Sequence, residues 1–276
     1  MQIDLSYSSS VPLIVPAFNH VEFILVGAGG TGGFLISAIA RLMKEIESTT
    51  NKTTRCTIID HDLIEQKNIP RQNFHPGDMG LPKAQVLAAR YALAFGIRIN
   101  ALCQRFNAKT IQRSWHSLNV IIGCVDNAVA RQEINECLCL SQEHNRPLNT
   151  WWLDCGNHRA SGQVLLGSSN CFESKKAFNN YAQPTFCIHL PSPALLHPEL
   201  LEVQLEELET TPLSCAELLA RNQQNLFVNQ QVAAIASEYL LALTLTGGLR
   251  KFATYFDSNS GSARSLYISP KALERY

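Results

Sequence analysis

The sequence predicts an α/β fold: a doubly wound, mostly parallel sheet with helices on both faces, and a long crossover loop before the C-terminal helices and strand. Apolar runs typical of buried strands alternate with stretches of helical spacing. The first run also enters a glycine cluster, FILVGAGGTGG, at residues 23–33. With 276 residues, 46% of them hydrophobic, the chain has enough apolar mass for one such domain, which we take to span residues 1–276.

The first half of the chain supplies most of the predicted sheet. EFILV (22–26) is the first strand, and apolar residues at helical spacing predict a helix from Thr31 to about Glu47. CTIID (56–60) is the second strand, and a helix follows at 82–96, with Pro82 in its first turn. VIIGCVDN (120–127) indicates a buried strand that leads into a helix over 128–140.

The second half contains two more strands, WWLDCG (151–156) and GQVLLG (162–167), which complete a predicted nucleotide-binding part at 20–167. Residues 168–212 show no clear periodicity and contain five prolines, so we expect a crossover loop or lid there. The C-terminal part, 213–276, contains an apolar helix at 228–245 and a late strand, ARSLYIS, at 263–269.

The composition argues against several classes of function. The 23 basic and 23 acidic side chains give no net charge, so nothing indicates a nucleic-acid or membrane-surface partner. No apolar run approaches a membrane span, and the N-terminal apolar run has no basic residue ahead of it, so we expect a cytoplasmic protein. None of the nine cysteines forms a C-x-x-C pair, so we expect reduced thiols and no zinc site.

The glycine cluster predicts a phosphate site. Gly27, Gly29 and Gly32 have the G-x-G-x-x-G spacing of a strand-to-helix turn, in which backbone amides and a helix N-terminus approach a phosphate. Asp60 ends the second strand, where a carboxylate accepts hydrogen bonds from ribose hydroxyls in dinucleotide-binding folds. These two features alone fit NAD as well as ATP.

The residues after the second strand distinguish the two nucleotides. The stretch IIDHDLIEQKNIPRQNFHPGDMGLPKAQVLAAR resembles the ThiF, MoeB and ubiquitin-activating enzyme family, and IIGCVDNAVAR resembles a second element of that family. The resemblance covers residues 23 to about 167 and implies a Rossmann-like fold. The residues that carry it are Asp60, Asp62, Asn68, Arg71, Gln72, Gly80, Pro82, Lys83, Asp126 and Asn127.

The resemblance implies an E1-like adenylyltransferase that uses ATP and Mg²⁺ to activate the C-terminal carboxylate of a ubiquitin-like protein. Arg71 and Lys83 would neutralise the β- and γ-phosphates, Asp126 would hold Mg²⁺, and Asp60 would bind the ribose. An NAD enzyme has no use for two cations directed at a triphosphate. The other expected nucleotide-binding residues are Gly27, Gly29, Gly30, Gly32, Asp62, Asn68, Gln72 and Asn127.

Each of these residues also has a purely structural interpretation. A lone lysine such as Lys83 is usually solvated surface, and Asp126 could cap the helix that follows it. Asp62 could serve only to accept hydrogen bonds from loop amides. The ordered set of motifs favours the functional interpretation for Lys83 and Asp126, and less so for Asp62.

The C-terminal region resembles a subgroup of the family. LSCAELLARNQQNLFVNQQVA (213–233) resembles ThiF-like proteins of PRTRC-type mobile-element systems, which are encoded near a small ubiquitin-like protein and a JAMM-type metallopeptidase. The missing C-x-x-C pairs fit that subgroup. The first arginine, Arg41, lies beyond the glycine turn, so the N-terminal arginine that many relatives supply to a dimer partner is missing. Family resemblance also implies a homodimer.

One cysteine could receive the activated carboxylate as a thioester. We discount six of the nine because they lie in apparent core strands or late in a helix, which leaves Cys171, Cys187 and Cys215. Cys215 is the preferred candidate because Ser214 could cap a short helix there and direct the helix dipole at the thiolate. An inert, half-buried thiol is the competing interpretation.

Three alternatives remain open from the sequence. The glycine turn and Asp60 also suit an NAD(P)-dependent oxidoreductase, although Arg71, Lys83 and Asp126 argue against it. A non-catalytic E1-like scaffold is the second, but such halves usually lose the phosphate and metal ligands that this chain retains. A relative that adenylates tRNA is the third, and the zero net charge argues against it.

Overall fold

The computed structural model describes residues 6–110, 116–142, 149–203 and 227–276. Its eight-stranded sheet has the order β3-β2-β1-β4-β5-β6-β7-β8. The strands are β1 (His20–Val26), β2 (Thr53–Ile59), β3 (Ile99–Leu102), β4 (Ser117–Gly123), β5 (Thr150–Asn157), β6 (Ser161–Gly167), β7 (Lys251–Asp257) and β8 (Ser262–Tyr267). The helices are α1 (Gly30–Thr49), α2 (Lys83–Phe95), α3 (Ala128–Gln142), α4 (Ser174–Ala177), α5 (Pro193–Leu196), α6 (Val228–Leu241) and α7 (Pro270–Leu273).

The sheet confirms the predicted fold class. Strands β3, β2, β1, β4 and β5 are parallel to their neighbours, whereas β6, β7 and β8 extend the sheet as antiparallel strands. All seven residues of β4 are buried, as expected for a central parallel strand with both faces covered. The sequence shows this as the unbroken apolar run VIIG.

The core lies on both faces of the sheet. The larger layer joins apolar side chains of α1, α2 and α6 to β1, β4, β5 and β7. The smaller layer lies on the opposite face and joins Ile134 and Leu138 of α3 to Trp152 of β5 and Ile24 of β1. Helices therefore flank the sheet on both sides, as the alternating sequence pattern predicts.

Several boundaries differ from the sequence predictions. Strand β3 was not predicted because it has only four residues and none is fully buried, so it lacks an apolar run. Strand β7 was also missed, since its polar residues interrupt the apolar ones. The helix predicted at 228–245 is α-helical only to Leu241 and ends in a π-helical turn, Ala242–Thr246, before two glycines with positive φ, Gly247 and Gly248.

The described part of the predicted crossover loop has local structure. Helices α4 and α5 lie in it, and a short 3₁₀ turn follows at Pro198–Leu201. The N-terminal segment packs beside it, because Cys187 donates its N–H to the Pro12 carbonyl at 2.9 Å. Among the described residues, no helix has both the length and the apolar character needed to cross a membrane.

Candidate functional site

A cavity of about 1020 Å³ opens at the carboxyl ends of β1, β2, β4 and β5. The chain leaves β1 and β2 toward one side and β4 and β5 toward the other, so the cavity lies at the switch point where ligands bind in open α/β sheets. The predicted site residues that line it are Gly27, Gly29, Gly30, Asp60, Asp62, Arg71, Gln72, Lys83, Asp126 and Asn127.

The glycines of the turn have different roles. Gly27 has φ +93°, a conformation that favours glycine, and a side chain there would press on the Cys124 carbonyl. A side chain on Gly32 would overlap the Gly27 carbonyl, so this glycine lets α1 start directly against β1. Gly29 differs, because its nearest neighbour would be the Gln72 amide nitrogen at 3.8 Å. It therefore leaves an open place on the cavity wall where a phosphate can approach the backbone.

Asp60 is fixed at the end of β2 by two backbone amides. Its Oδ2 accepts the N–H of Ala28 at 2.6 Å, and its Oδ1 accepts the N–H of Asp62 at 2.8 Å. The first of these bonds joins the carboxylate to the glycine turn. Each carboxylate oxygen can accept more than one hydrogen bond, so the group can still accept hydroxyl donors from the cavity.

Lys83 is a buried cation rather than solvated surface. Its side chain is 7% exposed, and Nζ donates to Oδ2 of Asp62 at 2.8 Å, whereas Asp62 is half exposed. Burial tends to raise the pKa of Asp62, but the hydrogen bond and charge of Lys83 outweigh burial and lower it. Asp62 therefore does more than accept loop amides, because it holds the ammonium at the cavity wall.

The loop after β2 carries Arg71 and Gln72 and is tied to two helices. Asn73 donates to the Gly33 carbonyl of α1 at 2.8 Å, and Arg90 of α2 donates to the Asn73 carbonyl at 2.7 Å. Two buried atoms on this anchored loop, Nε of Arg71 and Oε1 of Gln72, have no hydrogen-bond partner among the described residues. A buried donor without a partner is costly, so an anionic ligand in the cavity would suit Arg71.

The sequence left two roles open for Asp126, which are to cap helix α3 and to bind Mg²⁺. In the structure, the neighbouring residue Asn127 makes the cap, since its Oδ1 accepts the N–H of Ala130 at 2.9 Å. Asp126 lines the cavity, is exposed, and makes no hydrogen bond or ion pair with a residue that the structure describes. A carboxylate that is exposed on the cavity wall is a ligand of the kind that Mg²⁺ binds.

Three predicted residues need separate comment. Asn68 is buried outside the cavity lining, and its side chain accepts the N–H of Glu65 at 2.8 Å, so the structure gives it a loop-forming role. Cys215 lies outside the described residues. Cys187, an alternative acceptor, is fully buried, and burial raises the pKa of its thiol to about 12, which makes it a poor nucleophile.

A polar network that the sequence analysis missed supports the glycine turn. Asn229 of α6 is buried, and its Oδ1 accepts hydrogen bonds from Thr31 of α1 and Asn157 of β5. A side chain on Gly30 would overlap the Asn229 amide, so the turn and α6 touch directly. In the sequence, the feature that could have indicated this network is Asn229, a polar residue in the first turn of the apolar helix that begins VNQQVA.

A second missed feature is a buried ion pair at the far side of the cavity. Nε of Arg131 in α3 donates to Oδ1 of Asp154 in β5 at 3.1 Å, and Asp154 is fully buried. Burial raises the pKa of Asp154, although the charge and hydrogen bond of Arg131 oppose this shift. In the sequence, the feature that could have indicated this ion pair is Asp154, an acid inside the apolar strand WWLDC.

The family model that matches this chain is that of the ThiF family, and it covers residues 16–246. The chain belongs to the ThiF family. Two similar curated proteins are ubiquitin-like modifier-activating enzyme 5 of Dictyostelium discoideum, 27% identical over 180 residues, and the sulfur carrier protein ThiS adenylyltransferase of Escherichia coli K12, 34% identical over 96 residues. The first match covers 56% of this chain and 41% of the relative, and the second 34% and 37%.

Solved structures support the fold of this ThiF-family chain. E. coli MccB in complex with ATP superposes with a TM-score of 0.54 at 15% identity, over 96% of this chain and 67% of MccB. MccB with succinimide gives a TM-score of 0.56 at 15% identity, over 90% of this chain and 64% of MccB. The chain spans about two-fifths of the length of the curated relatives named above.

Proposed function

We propose that this ThiF-family protein binds ATP with Mg²⁺ and adenylates the C-terminal carboxylate of a small ubiquitin-like or sulfur-carrier protein. One observation carries the proposal: a single cavity at the sheet's switch point combines an open glycine turn, two cations, Arg71 and Lys83, and the exposed acid Asp126. The names of the curated relatives, an activating enzyme and an adenylyltransferase, agree with this chemistry.

The two cations suit the leaving group of adenylation. The substrate carboxylate attacks the α-phosphorus of ATP, the bond to the bridging oxygen breaks, and pyrophosphate leaves with the added negative charge. Arg71 and Lys83 would neutralise that charge, and their fixed positions mean that little reorganisation is needed during the reaction. When the phosphates bind, one of their oxygens would also give the buried Nε of Arg71 a hydrogen-bond acceptor.

The remaining residues position the reactants. Asp60 accepts the ribose hydroxyls, and the backbone at Gly29 lets the phosphates approach the start of α1. Asp62 holds Lys83 in the cavity wall until the phosphates arrive. Asp126 would ligate Mg²⁺, which supplies charge neutralisation of the phosphate oxygens when it is bound.

Finer parts of the proposal rest on the sequence alone. We propose that the partner belongs to a PRTRC-type system, that a JAMM-type metallopeptidase acts in the same system, and that the chain forms a homodimer. A thioester on Cys215 is the proposed second step, supported by its position in the segment that resembles that subgroup. The absence of C-x-x-C pairs supports the proposal that no structural zinc is bound.

Pyrophosphate exchange tests the proposed reaction. The purified protein is incubated with labelled pyrophosphate, MgATP and a small ubiquitin-like protein that ends in glycine. We expect label to enter ATP, and we expect none when the terminal glycine of the partner is deleted, because the attacking carboxylate is then displaced. Exchange that does not depend on the partner's terminus would contradict the proposed substrate.

A further inference from the structure

We propose that Cys124 and Cys155 form a dithiol site in the wall of the cavity, that hydroperoxides oxidise this site to a disulfide, and that small dithiol reductants return it to two thiols. The adenylation chemistry proposed above uses neither thiol. Both residues line the cavity, and both are present as free cysteines.

The sheet register brings the two residues together. Gly123, the last residue of β4, pairs with Asp154 of β5. Cys124 comes directly after the end of β4 and Cys155 directly after Asp154 within β5, so the register places the two cysteines side by side. Parallel neighbours lie about 4.8 Å apart, within the Cα separation of about 4.4–6.8 Å that disulfides span. In-register side chains also leave the same face of a sheet, and both cysteines belong to the core layer beneath α1 and α6.

The neighbouring thiol affects the reactivity of Cys155. A side-chain hydrogen bond with Cys124, together with burial, raises the pKa of the Cys155 thiol well above its ordinary value, so Cys155 is not the group that peroxide attacks first. Cys124 is only partly buried and faces the cavity, so a small peroxide can reach it.

The oxidation balances in two steps. The Cys124 thiol reacts with hydrogen peroxide to give a sulfenic acid and water. The Cys155 sulfur then attacks that sulfenic acid, forming the S–S bond and releasing a second water. Overall the two sulfurs lose two electrons and peroxide becomes two molecules of water. A thiol at the neighbouring position of the sheet favours the second step over further oxidation, because the fold holds the two residues side by side at high effective concentration.

Closing the disulfide would affect the glycine turn. The Cys124 carbonyl lies where a Gly27 side chain would point, and the Cys124 Cβ is 3.4 Å from the position of a Gly32 Cβ. Cys124 also donates its N–H to the Val26 carbonyl at 2.8 Å, at the end of β1. A pull on Cys124 toward β5 therefore shifts the turn, and we expect weaker ATP binding, a consequence that rests on the proposed function.

Peptide mapping tests the site without relying on activity. The wild-type protein is treated with hydrogen peroxide, remaining thiols are alkylated, and the digest is analysed by mass spectrometry. We expect a Cys124–Cys155 cross-linked peptide that disappears after treatment with dithiothreitol. Cys124 oxidised to sulfinic acid without a cross-link, or unreacted Cys124 beside oxidised Cys171, would overturn the proposal.

Matched variants separate this site from other thiols. Cys103 and Cys171 are exposed, so the Cys103→Ser and Cys171→Ser variants should form the same cross-link as the wild type. The Cys155→Ser variant should lose the cross-link and accumulate a Cys124 sulfenic acid that dimedone captures. If peroxide and dimedone leave Cys124 unlabelled in a folded Cys155→Ser variant, Cys124 is not the peroxide-reactive thiol and the proposal is wrong.

The mapping experiment is independent of the proposed ATP site. Titration of MgATP into reduced protein reports on the ATP site, and the cross-link reports on the dithiol. Failure of ATP binding with a normal cross-link would contradict the proposed function alone. Normal ATP binding with no cross-link would contradict the dithiol alone.

Discussion

At the scale of single residues, burial and pairing distinguish two lysines that follow β2 in the chain, Lys67 and Lys83. Lys83 is buried against Asp62, whereas Lys67 is 56% exposed and pairs with the exposed Glu65 at 2.9 Å. A sequence pattern cannot separate these two lysines by residue type. The difference follows from position, because Lys83 begins α2 and faces the cavity.

The variants Lys83→Met and Arg71→Ala should each lower pyrophosphate exchange by a factor of about 10² to 10³. Both remove positive charge that stabilises the departing pyrophosphate, and Met keeps most of the packing of the lysine stem. The control is Lys67→Met, which removes a surface ion pair in the same loop and should leave exchange unchanged. Wild-type exchange in Lys83→Met would contradict the assigned role.

The ion pair between Asp62 and Lys83 should make stability depend on pH. The pKa of Asp62 is lowered in the folded protein, so the pair stabilises the fold above the unfolded pKa of about 3.9. That contribution is lost as the pH falls through the lower, folded pKa. Melting curves should show Asp62→Asn below the wild type at pH 7, with the difference shrinking below about pH 4. A difference that stays constant with pH would rule out this contribution.

At the scale of elements, the strand-to-helix turn after β1 contains glycines that are required for two different reasons. Gly32 is needed for packing, because a side chain there would meet the Gly27 carbonyl. Gly29 lines the cavity, and the nearest described atom to a side chain there would be the Gln72 amide nitrogen, at 3.8 Å. The common motif G-x-G-x-x-G predicted the turn, but only the structure separates these roles.

Alanine substitutions in the turn should therefore have different effects. Gly32→Ala should lower the free energy of unfolding by about 1–3 kcal/mol or more, since the backbone must shift to relieve the overlap. Gly29→Ala should melt close to the wild type but bind MgATP more weakly, because its methyl group fills the phosphate approach. Thermal melting and calorimetry measure the two effects, and equal melting temperatures for both variants would contradict the assignment.

The buried pair Arg131–Asp154 joins α3 to β5, and a variant that removes only one of its two partners should be strongly destabilised. Arg131→Met leaves Asp154 buried without its cation, and we expect a loss of about 3–5 kcal/mol. The double variant Arg131→Met, Asp154→Leu removes the buried charge and should recover much of that loss. Chemical denaturation gives the free energies of unfolding of the wild type, the two single variants and the double variant. If the double variant loses as much stability as the two single variants together, Arg131 and Asp154 are not coupled.

The elements themselves were largely predictable from the sequence. Strands such as VIIG and helices such as 82–96 have strong apolar patterns, so their core positions follow from periodicity alone. Strand β3 was not found because it has only four residues and none of them is fully buried, and β7 was not found because polar residues interrupt its apolar ones. The Asn229–Thr31–Asn157 network was missed because it joins residues as far as 198 positions apart, which no local sequence pattern connects.

At the scale of the whole molecule, sheet order determines the site. The crossover that separates β1 and β2 from β4 and β5 opens the cavity and brings Asp60, Lys83 and Asp126 to one edge. The family resemblance implied that these residues share one nucleotide site, and in the structure they all line the one cavity. Asn68 departs from the motif-based prediction, because its amide is used within the loop rather than in the cavity.

We propose that this cavity binds ATP rather than NAD, and calorimetry can measure the binding of both nucleotides to the same protein. Reduced wild-type protein is titrated with MgATP and, separately, with NAD⁺ and NADH. We predict saturable binding of MgATP that weakens in Asp126→Asn and Lys83→Met, and no heat of binding for either dinucleotide. Micromolar binding of NAD⁺ or NADH with no response to MgATP would contradict the claim.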